Sequence, residues 1–306
     1  MADTTGRGRL IVLTRIWPTT ERPSRGSYVR DRVRGVEGVQ VVRPRSGRPW
    51  WPVLYTFLFV DAMRVRGPIR GVEAHVVVPT GLVGLVAARL RRVPLIVYAH
   101  GTDVRDWDRR PFPIRWITRL VVRRADRMVT NSNDTARYIR QMGVEPFIEP
   151  PGVDLSRFSV SPRPVSRRVL YLGGRSAGKG YPVAVELADT LVGPRLRDIQ
   201  PEEIPSLMAE HDVVLVPSLA EGFGLVAVEA IASGRWVVAR NVGGLSGIIV
   251  EGVNGTLVAD DDFAGALARV PDYDPLAVAA TADRFSLERW QSALARVWDE
   301  VAPPRA

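Results

Sequence analysis

DVVLVPSLAEGFGLVAVEAIASGRWVVAR, residues 212–240, carries the logic of the fold in one line. DVVLVPS (212–218) is a short apolar run of strand length, and RWVVAR (235–240) is a second. Between them lies a polar, glycine-rich loop, and an apolar segment of helix length starts at about Phe223. Strand, loop, helix and strand in this order are the rhythm of a parallel α/β sheet.

The same alternation runs outward to both ends. RVLYLG (168–173) predicts a strand followed by a helix through Ala188, and GTLVA (255–259) precedes a closing helical region. In the N-terminal half the strand candidates are RLIVLT (9–14), VQVVR (39–43), EAHVVVP (73–79), PLIVYAH (94–100), DRMVTNS (126–132) and a short piece near Phe147. Helix candidates start near Gly26, Trp50, Gly81, Pro113 and Ser132. FSVSPRPVSRR (158–168) has two prolines, three serines and no apolar period, so it reads as a linker. With 306 residues, the chain is expected to form two doubly wound domains with separate cores.

Composition narrows the chemistry. Hydrophobic residues at 46% and charged residues at 25% exclude a disordered chain. The absence of cysteine excludes disulfides, Cys-ligated zinc, iron–sulfur clusters and thiol catalysis. His75, His100 and His211 are too scattered for a helical metal motif, and no metal site is expected. MADTTGRGRL is polar and IVLT is one short strand, so no signal peptide is read and the expected location is the cytoplasm. The net charge of +9 points to an anionic partner. Lys179 is the only lysine among 42 basic residues, and the arginines are spread over both halves without a zinc-finger, basic-heptad or RNA-binding pattern. Nucleic acid is therefore not the expected partner.

Ligands of doubly wound sheets collect beyond the carboxyl ends of the strands. Three segments there carry unusual chemistry: GGRSAGKG, SLAEGFGLVAVEAIASG and HGTD. In the first, Gly173, Gly174, Gly178 and Gly180 clear side chains from the loop while Arg175 and Lys179 stand four apart. If the loop is already helical, both cations share one face and suit a diphosphate; otherwise it is a surface turn with two solvated cations. It is no Walker loop, because no Ser or Thr follows the lysine. In the second, Glu221 lies in the loop, Gly222 and Gly224 open backbone N–H groups at a helix start, and Glu229 falls inside that helix. A carboxylate there can hydrogen-bond paired ribose hydroxyls. Its apolar neighbours Leu225, Val226, Val228, Ala230 and Ile231 pack the helix, so Glu229 needs a partner.

PSLAEGFGLVAVEAIASG, with glutamates eight apart, resembles the signature of family 4 retaining glycosyltransferases. PSRGSYVRDRV (23–33) is similar to the family's first glycine loop and helix, AHGTD (99–103) to its His-Gly motif, and PPGVDLSRF (150–158) to its Pro-Asn-Gly-Val-Asp segment. LGGRSAGKG (172–180) is similar to its Gly-Arg…Lys-Gly motif, and VVARNVGGLSGIIVEGVNGTLV (237–258) to its Gly-Gly and Asn-Gly segments.

The resemblance implies an α/β fold of the GT-B class, two Rossmann-like doubly wound parallel-sheet domains facing a cleft. It implies an acceptor domain over 1–160, a nucleotide-sugar donor domain over 161–285, and a helix in 286–306, LERWQSALARVWDEV, packing back on the first domain. It further implies that Arg175 and Lys179 bind the donor diphosphate in the loop of Gly174, and that Glu229 holds the ribose. Glu221, with the amides of Gly222, Phe223, Gly224 and Leu225, would contact the transferred sugar and its phosphate. His100 would approach that sugar, Asp103 would shape the acceptor side, and Gly26 would allow close approach of the diphosphate. The implied reaction takes a sugar from a nucleotide-diphosphate sugar to an acceptor hydroxyl at the front face, with no cofactor and no catalytic metal.

Three departures stand against the family pattern. The interval from Lys179 to Glu221 is 42 residues, shorter than expected by about one βα unit of roughly 30 residues. Gly247 stands where a glutamate is common, and Pro151 where an asparagine is expected. A non-catalytic GT-B-like binding or regulatory protein is the competing reading. Outside the motifs, the apolar run from Trp50 to Val60 is too short to span a bilayer of about 20 residues. Arg43, Arg45, Arg48, Arg64, Arg66 and Arg70 flank it, which suits weak peripheral contact with an anionic membrane. Its stripe of Leu54, Tyr55, Leu58 and Phe59 suits a packed helix instead.

Overall fold

A computed structural model describes residues 8–19, 26–34, 36–44, 51–197 and 199–303. Trp50, Arg45, Arg48, residues 23–25 of the first glycine loop and Asp198 lie outside the described residues. The chain divides into two units, Met1–Pro150 with Gln291–Ala306, and Pro151–Trp290.

The first unit is built on β1 (Arg9–Leu13), β2 (Val39–Val42), β3 (Ile69–His75), β4 (Leu95–Ala99), β5 (Arg127–Thr130) and β6 (Phe147–Ile148). They form one parallel sheet in the order β2-β1-β3-β4-β5-β6. β4, LIVYA, is buried at every position, as expected of a central strand covered on both faces. β3 differs from the expected 73–79. It starts at Ile69 and ends where His75 pairs with Tyr98. Val76 then takes a positive φ of 82°, and the Val77 N–H leaves the ladder to donate to the Asp103 carboxylate at 2.9 Å. The apolar run VVVP is thus a turn leading into the helix Leu82–Arg91.

From Gln291 onward the closing helix Leu287–Val301 belongs to this first unit. Trp298 is buried against the sheet, its ring so close to Gly71 that a Cβ there would sit 2.3 Å away. Arg70 donates to Asp299 at 2.6 Å, and Gln291 donates to the carbonyls of Asp31 and Arg32.

The second unit holds β7 (Val169–Tyr171), β8 (Thr190–Leu191), β9 (Val213–Val216), β10 (Trp236–Arg240) and β11 (Gly255–Val258). Their parallel order is β11-β10-β9-β7-β8. β8 is an edge strand, and the chain runs from it through a tight turn and the short helix Ile204–Ala209 into β9. The division falls about ten residues before the boundary expected at 160, and segment 158–168 is more than a linker. Val153 and Phe158 are buried in the second core, the Val153 N–H donates to the Phe285 carbonyl at 2.8 Å, and Arg163 pairs with buried Asp212 at 2.6 Å.

Candidate active site

Two loops of the second unit meet beyond the ends of β7 and β9. After β7, the single O–H of Tyr171 lies within reach of the Gly174 carbonyl at 3.0 Å and the Lys179 carbonyl at 3.2 Å, between the two ends of the glycine loop. Burial, with Tyr181 adding to it, pushes that phenol up to about 12, so it stays protonated as a donor. Ser176 is extended and only Ala177–Lys179 forms a tight helical turn, so Arg175 and Lys179 do not share the α-helical face that their spacing suggests. Arg175 is exposed, its guanidinium 5.9 Å from the centre of the Tyr181 ring. Lys179 reaches the other loop and donates to Glu221 Oε2 at 2.6 Å, an oxygen that also accepts from Ser218 at 3.3 Å. Gly180, at φ 77°, lies where a Cβ would meet the Pro217 carbonyl at 2.2 Å, so only glycine lets the loops approach this closely.

The second loop runs into the helix Leu225–Ala232, whose N-terminal Gly224 has φ 117° and supplies no side-chain cap. Its first-turn N–H groups therefore face the loop as donors for an anion, with the helix dipole in the same sense. Gly222 and Leu225 are half-buried on either side of it. The Phe223 ring is buried edge-on against Phe285, 5.5 Å between centres, so Phe223 can meet a ligand only through its backbone. Glu229 is half-buried farther along the same helix. A Cβ at Gly247 would meet nothing within 4 Å, so no packing demand explains a glycine there.

In the first unit His100 follows β4 and is held from several sides. Its N–H donates to Asp103 Oδ1 at 2.9 Å, and its carbonyl accepts from Asn131 at 3.1 Å. Asp103 is buried and turned inward to these donors, so it shapes the loop around His100. Burial pushes its carboxyl up, against the pull of the Val77 and His100 N–H groups. The His100 ring stacks on Tyr98 and His75, with centres 4.8 Å and 5.2 Å away. Its Nε2 lies 3.0 Å from His75 Nδ1, and its Nδ1 lies 3.4 Å from the Tyr28 hydroxyl. Burial holds the His100 imidazole well below its usual value, so it stays neutral near pH 7. Gly26 opens the helix Ser27–Val33 at φ 72°, with the Ile16 carbonyl 2.5 Å from where its Cβ would be.

Behind His100 lies a group that the motifs do not reveal. His75 Nε2 is 3.0 Å from Glu73 Oε1, and Glu73 Oε2 accepts from Arg32 at 2.5 Å and from Trp298 at 3.0 Å. Burial alone would raise the Glu73 carboxyl, but Arg32, followed by His75, holds it at about 2. The one sequence signal is the alternation Glu73, Ala74, His75, which puts both polar side chains on one face of a buried strand. Among the described residues, no group of three or more His, Asp or Glu is placed to hold a metal ion.

With the geometry in place, comparison with known proteins decides the family. Residues 8–157 match the description "Glycosyltransferase Family 4", and residues 169–270 match "Glycosyl transferases group 1". The chain belongs to glycosyltransferase family 4. Among curated relatives of this family 4 chain, D-inositol 3-phosphate glycosyltransferase of Mycobacterium tuberculosis is 32% identical, with 59% of this chain and 49% of the relative covered. The chain thus spans about half the length of the curated relatives it matches. Among solved structures, HepE of Anabaena in complex with UDP and glucose has a TM-score of 0.72 at 17% identity, covering 96% of this chain and 100% of that one. Sucrose-phosphate synthase of Thermosynechococcus elongatus has a TM-score of 0.76 at 18% identity, covering 96% and 99%. The fold is GT-B, with parallel sheets of six and five strands.

Proposed function

We propose that this family 4 chain is a retaining glycosyltransferase that moves a hexosyl group from a nucleotide-diphosphate sugar to an acceptor hydroxyl. The observation that carries the reading is the Lys179–Glu221 contact at 2.6 Å, which joins the cationic glycine loop to the uncapped helix start at Gly224. Arg175, Lys179 and the first-turn amides can stabilise charge that develops on a departing diphosphate. No bound metal is needed for that role in this proposal. As the glycosyl–phosphate bond breaks, its electron pair stays with the diphosphate, and the acceptor oxygen bonds to the same face of the sugar while its proton passes to a phosphate oxygen. Glu229 is assigned to the ribose, and Glu221 and His100 to the transferred sugar. The related structure HepE of Anabaena, solved with UDP and glucose and with UDP-glucose, supports a uridine nucleotide as the first donor to try.

Weak peripheral contact with an anionic membrane at the cytoplasmic face belongs to the same proposal, with its surface relocated. In the helix Trp51–Arg64, Val53, Phe57 and Val60 are half-buried, whereas Phe112 and Trp116 are 69% and 57% exposed on the helix Phe112–Arg124. That helix carries four arginines and no acid. Among the described residues, no helix is long and apolar enough to cross a membrane. The non-catalytic reading is favoured by one feature, the short passage from β8 to β9. Incubation with a panel of nucleotide sugars, followed by NMR of the anomeric protons, separates the two. Transfer or hydrolysis with retained configuration is expected; binding without turnover of any donor would establish the non-catalytic reading.

A further inference from the structure

Glu73 and His75 lie side by side on β3 and are 2% and 0% exposed, an arrangement a plain core does not require. A buried carboxylate is costly unless it is paired and fully hydrogen-bonded. Glu73 meets that condition through Arg32 and Trp298 on one oxygen and His75 on the other. The helix Ser27–Val33 grips both ends of the chain of contacts. Its Tyr28 and Arg32 are one turn apart, so the same helix face touches His100 at one end and Glu73 at the other.

We infer that Glu73 and His75 are positioning residues that fix His100 in its Nε2–H tautomer, leaving Nδ1 as an acceptor that a hydroxyl group of the sugar can take over from the Tyr28 hydroxyl. The Glu73 carboxylate can only accept, so His75 Nε2 carries the proton it shares with Glu73. Arg32 already balances the charge of Glu73, so a proton on both nitrogens of the fully buried His75 would add a cation with no counter-charge; Nδ1 is therefore the lone-pair nitrogen, and His100 Nε2 donates to it across 3.0 Å. The remaining nitrogen of His100, Nδ1, is left as an acceptor. The Tyr28 hydroxyl at 3.4 Å already fits as its donor. A phosphate oxygen, which only accepts, finds no partner there, whereas a sugar hydroxyl does. The stacking of His75, Tyr98 and His100, with ring planes within 18°, keeps the two imidazoles in line.

The groups facing His100 are His75 from β3, Tyr98 from β4, Tyr28 from the helix Ser27–Val33 and Asp103 from its own loop. Of these, His75 is the one that sets the state of Nε2. Its role in catalysis rests on the sugar assignment made above for His100, but the tautomer itself does not. The test is therefore read first without substrate, by long-range nitrogen–proton NMR of the His100 ring in the full chain. The wild type is expected to show an unprotonated Nδ1 and a protonated Nε2. His75→Phe keeps a ring in the stack but removes the acceptor, and should give a mixture of tautomers. His75→Asn places an amide oxygen near the old Nδ1 and should restore the Nε2–H form. Glu73→Gln is the less useful variant, since it strips Arg32 of its buried counter-charge and endangers folding. With donor, His75→Phe should lose about 10-fold to 100-fold in kcat at near-constant donor KM, the scale typical of removing an orienting partner, and His75→Asn should recover most of it. A proton on Nδ1 in the wild type, or an unchanged Nε2–H form in His75→Phe, would overturn the inference. If the tautomers behave as expected but no nucleotide sugar is turned over, the functional proposal fails and the positioning role of His75 stands.

Discussion

The two units solve the same problem in opposite ways. Each places its chemistry where a parallel strand feeds a loop, yet the second exposes its charges and the first buries them. Arg175 is exposed and the Lys179 side chain is 44% exposed, on loops that glycine allows to touch. The Arg32–Glu73 pair has side chains 4% and 2% exposed and is held by hydrogen bonds from His75 on β3 and Trp298 on the closing helix. An exposed cation can turn to meet a charged ligand and costs little to keep. A buried acid does the reverse: it is expensive, so it persists where it orients something else. In this chain the thing oriented is the His100 ring.

This contrast breaks most readily at the buried pair. Glu73→Gln leaves Arg32 without its carboxylate and should destabilise the protein by about 3–5 kcal/mol. Glu221→Gln at the solvent-accessible pair should cost at most about 1 kcal/mol. Urea unfolding of the two variants makes the comparison, and equal losses would show that burial does not separate the regions.

Activity should invert that order. Arg175→Ala and Lys179→Ala should each lower kcat by about 10²–10³ while leaving the melting temperature near that of the wild type. Wild-type turnover in both variants would remove the diphosphate from this loop.

Acid should act next, in two steps. His100 is held neutral by burial, so the unfolded chain binds a proton more readily, and stability falls as pH drops through about 6.5. His211, buried against the Leu207 carbonyl and Thr190, is lowered too and acts in the same direction. Glu73 adds stability that is complete above its ordinary value of 4.5 and is lost as pH falls toward about 2, worth about 3 kcal/mol. Denaturant midpoints followed from pH 8 downward check both steps; a flat curve between pH 7.5 and 5.5, an interval chosen to span the free imidazole value, would contradict the first.

The smallest effect concerns the membrane face. Flotation with anionic vesicles should be weak, salt-sensitive and reduced by Phe112→Ser with Trp116→Ser, each nearby arginine contributing about 1 kcal/mol. Equal recovery on neutral vesicles would withdraw the proposal.

The legibility of the sequence follows the same division. β4, β9 and β10 are readable because strands covered on both faces become unbroken apolar runs. β3 misleads because its polar Arg70, Glu73 and His75 interrupt that signal, while VVVP continues it after the chain has left the sheet. β8 is two residues long, too short for any period to show. The second-unit site is legible because its glycines and its one lysine are local marks on the chain. The support of His100 is not, since Arg32, Glu73 and Trp298 are brought together only by folding.

The most direct test of donor binding is calorimetry of the full chain with nucleoside diphosphates, UDP first, alongside the Glu229→Ala and Glu221→Ala variants. A ribose contact is equally strong before and during reaction, whereas a contact to the transferring sugar counts at the transition state. Glu229→Ala should weaken diphosphate binding about tenfold or more, the scale of a lost charge-assisted hydrogen bond, while Glu221→Ala should bind as the wild type does and lose kcat. Unchanged affinity in Glu229→Ala, or no binding of any nucleoside diphosphate by the wild type, would contradict it.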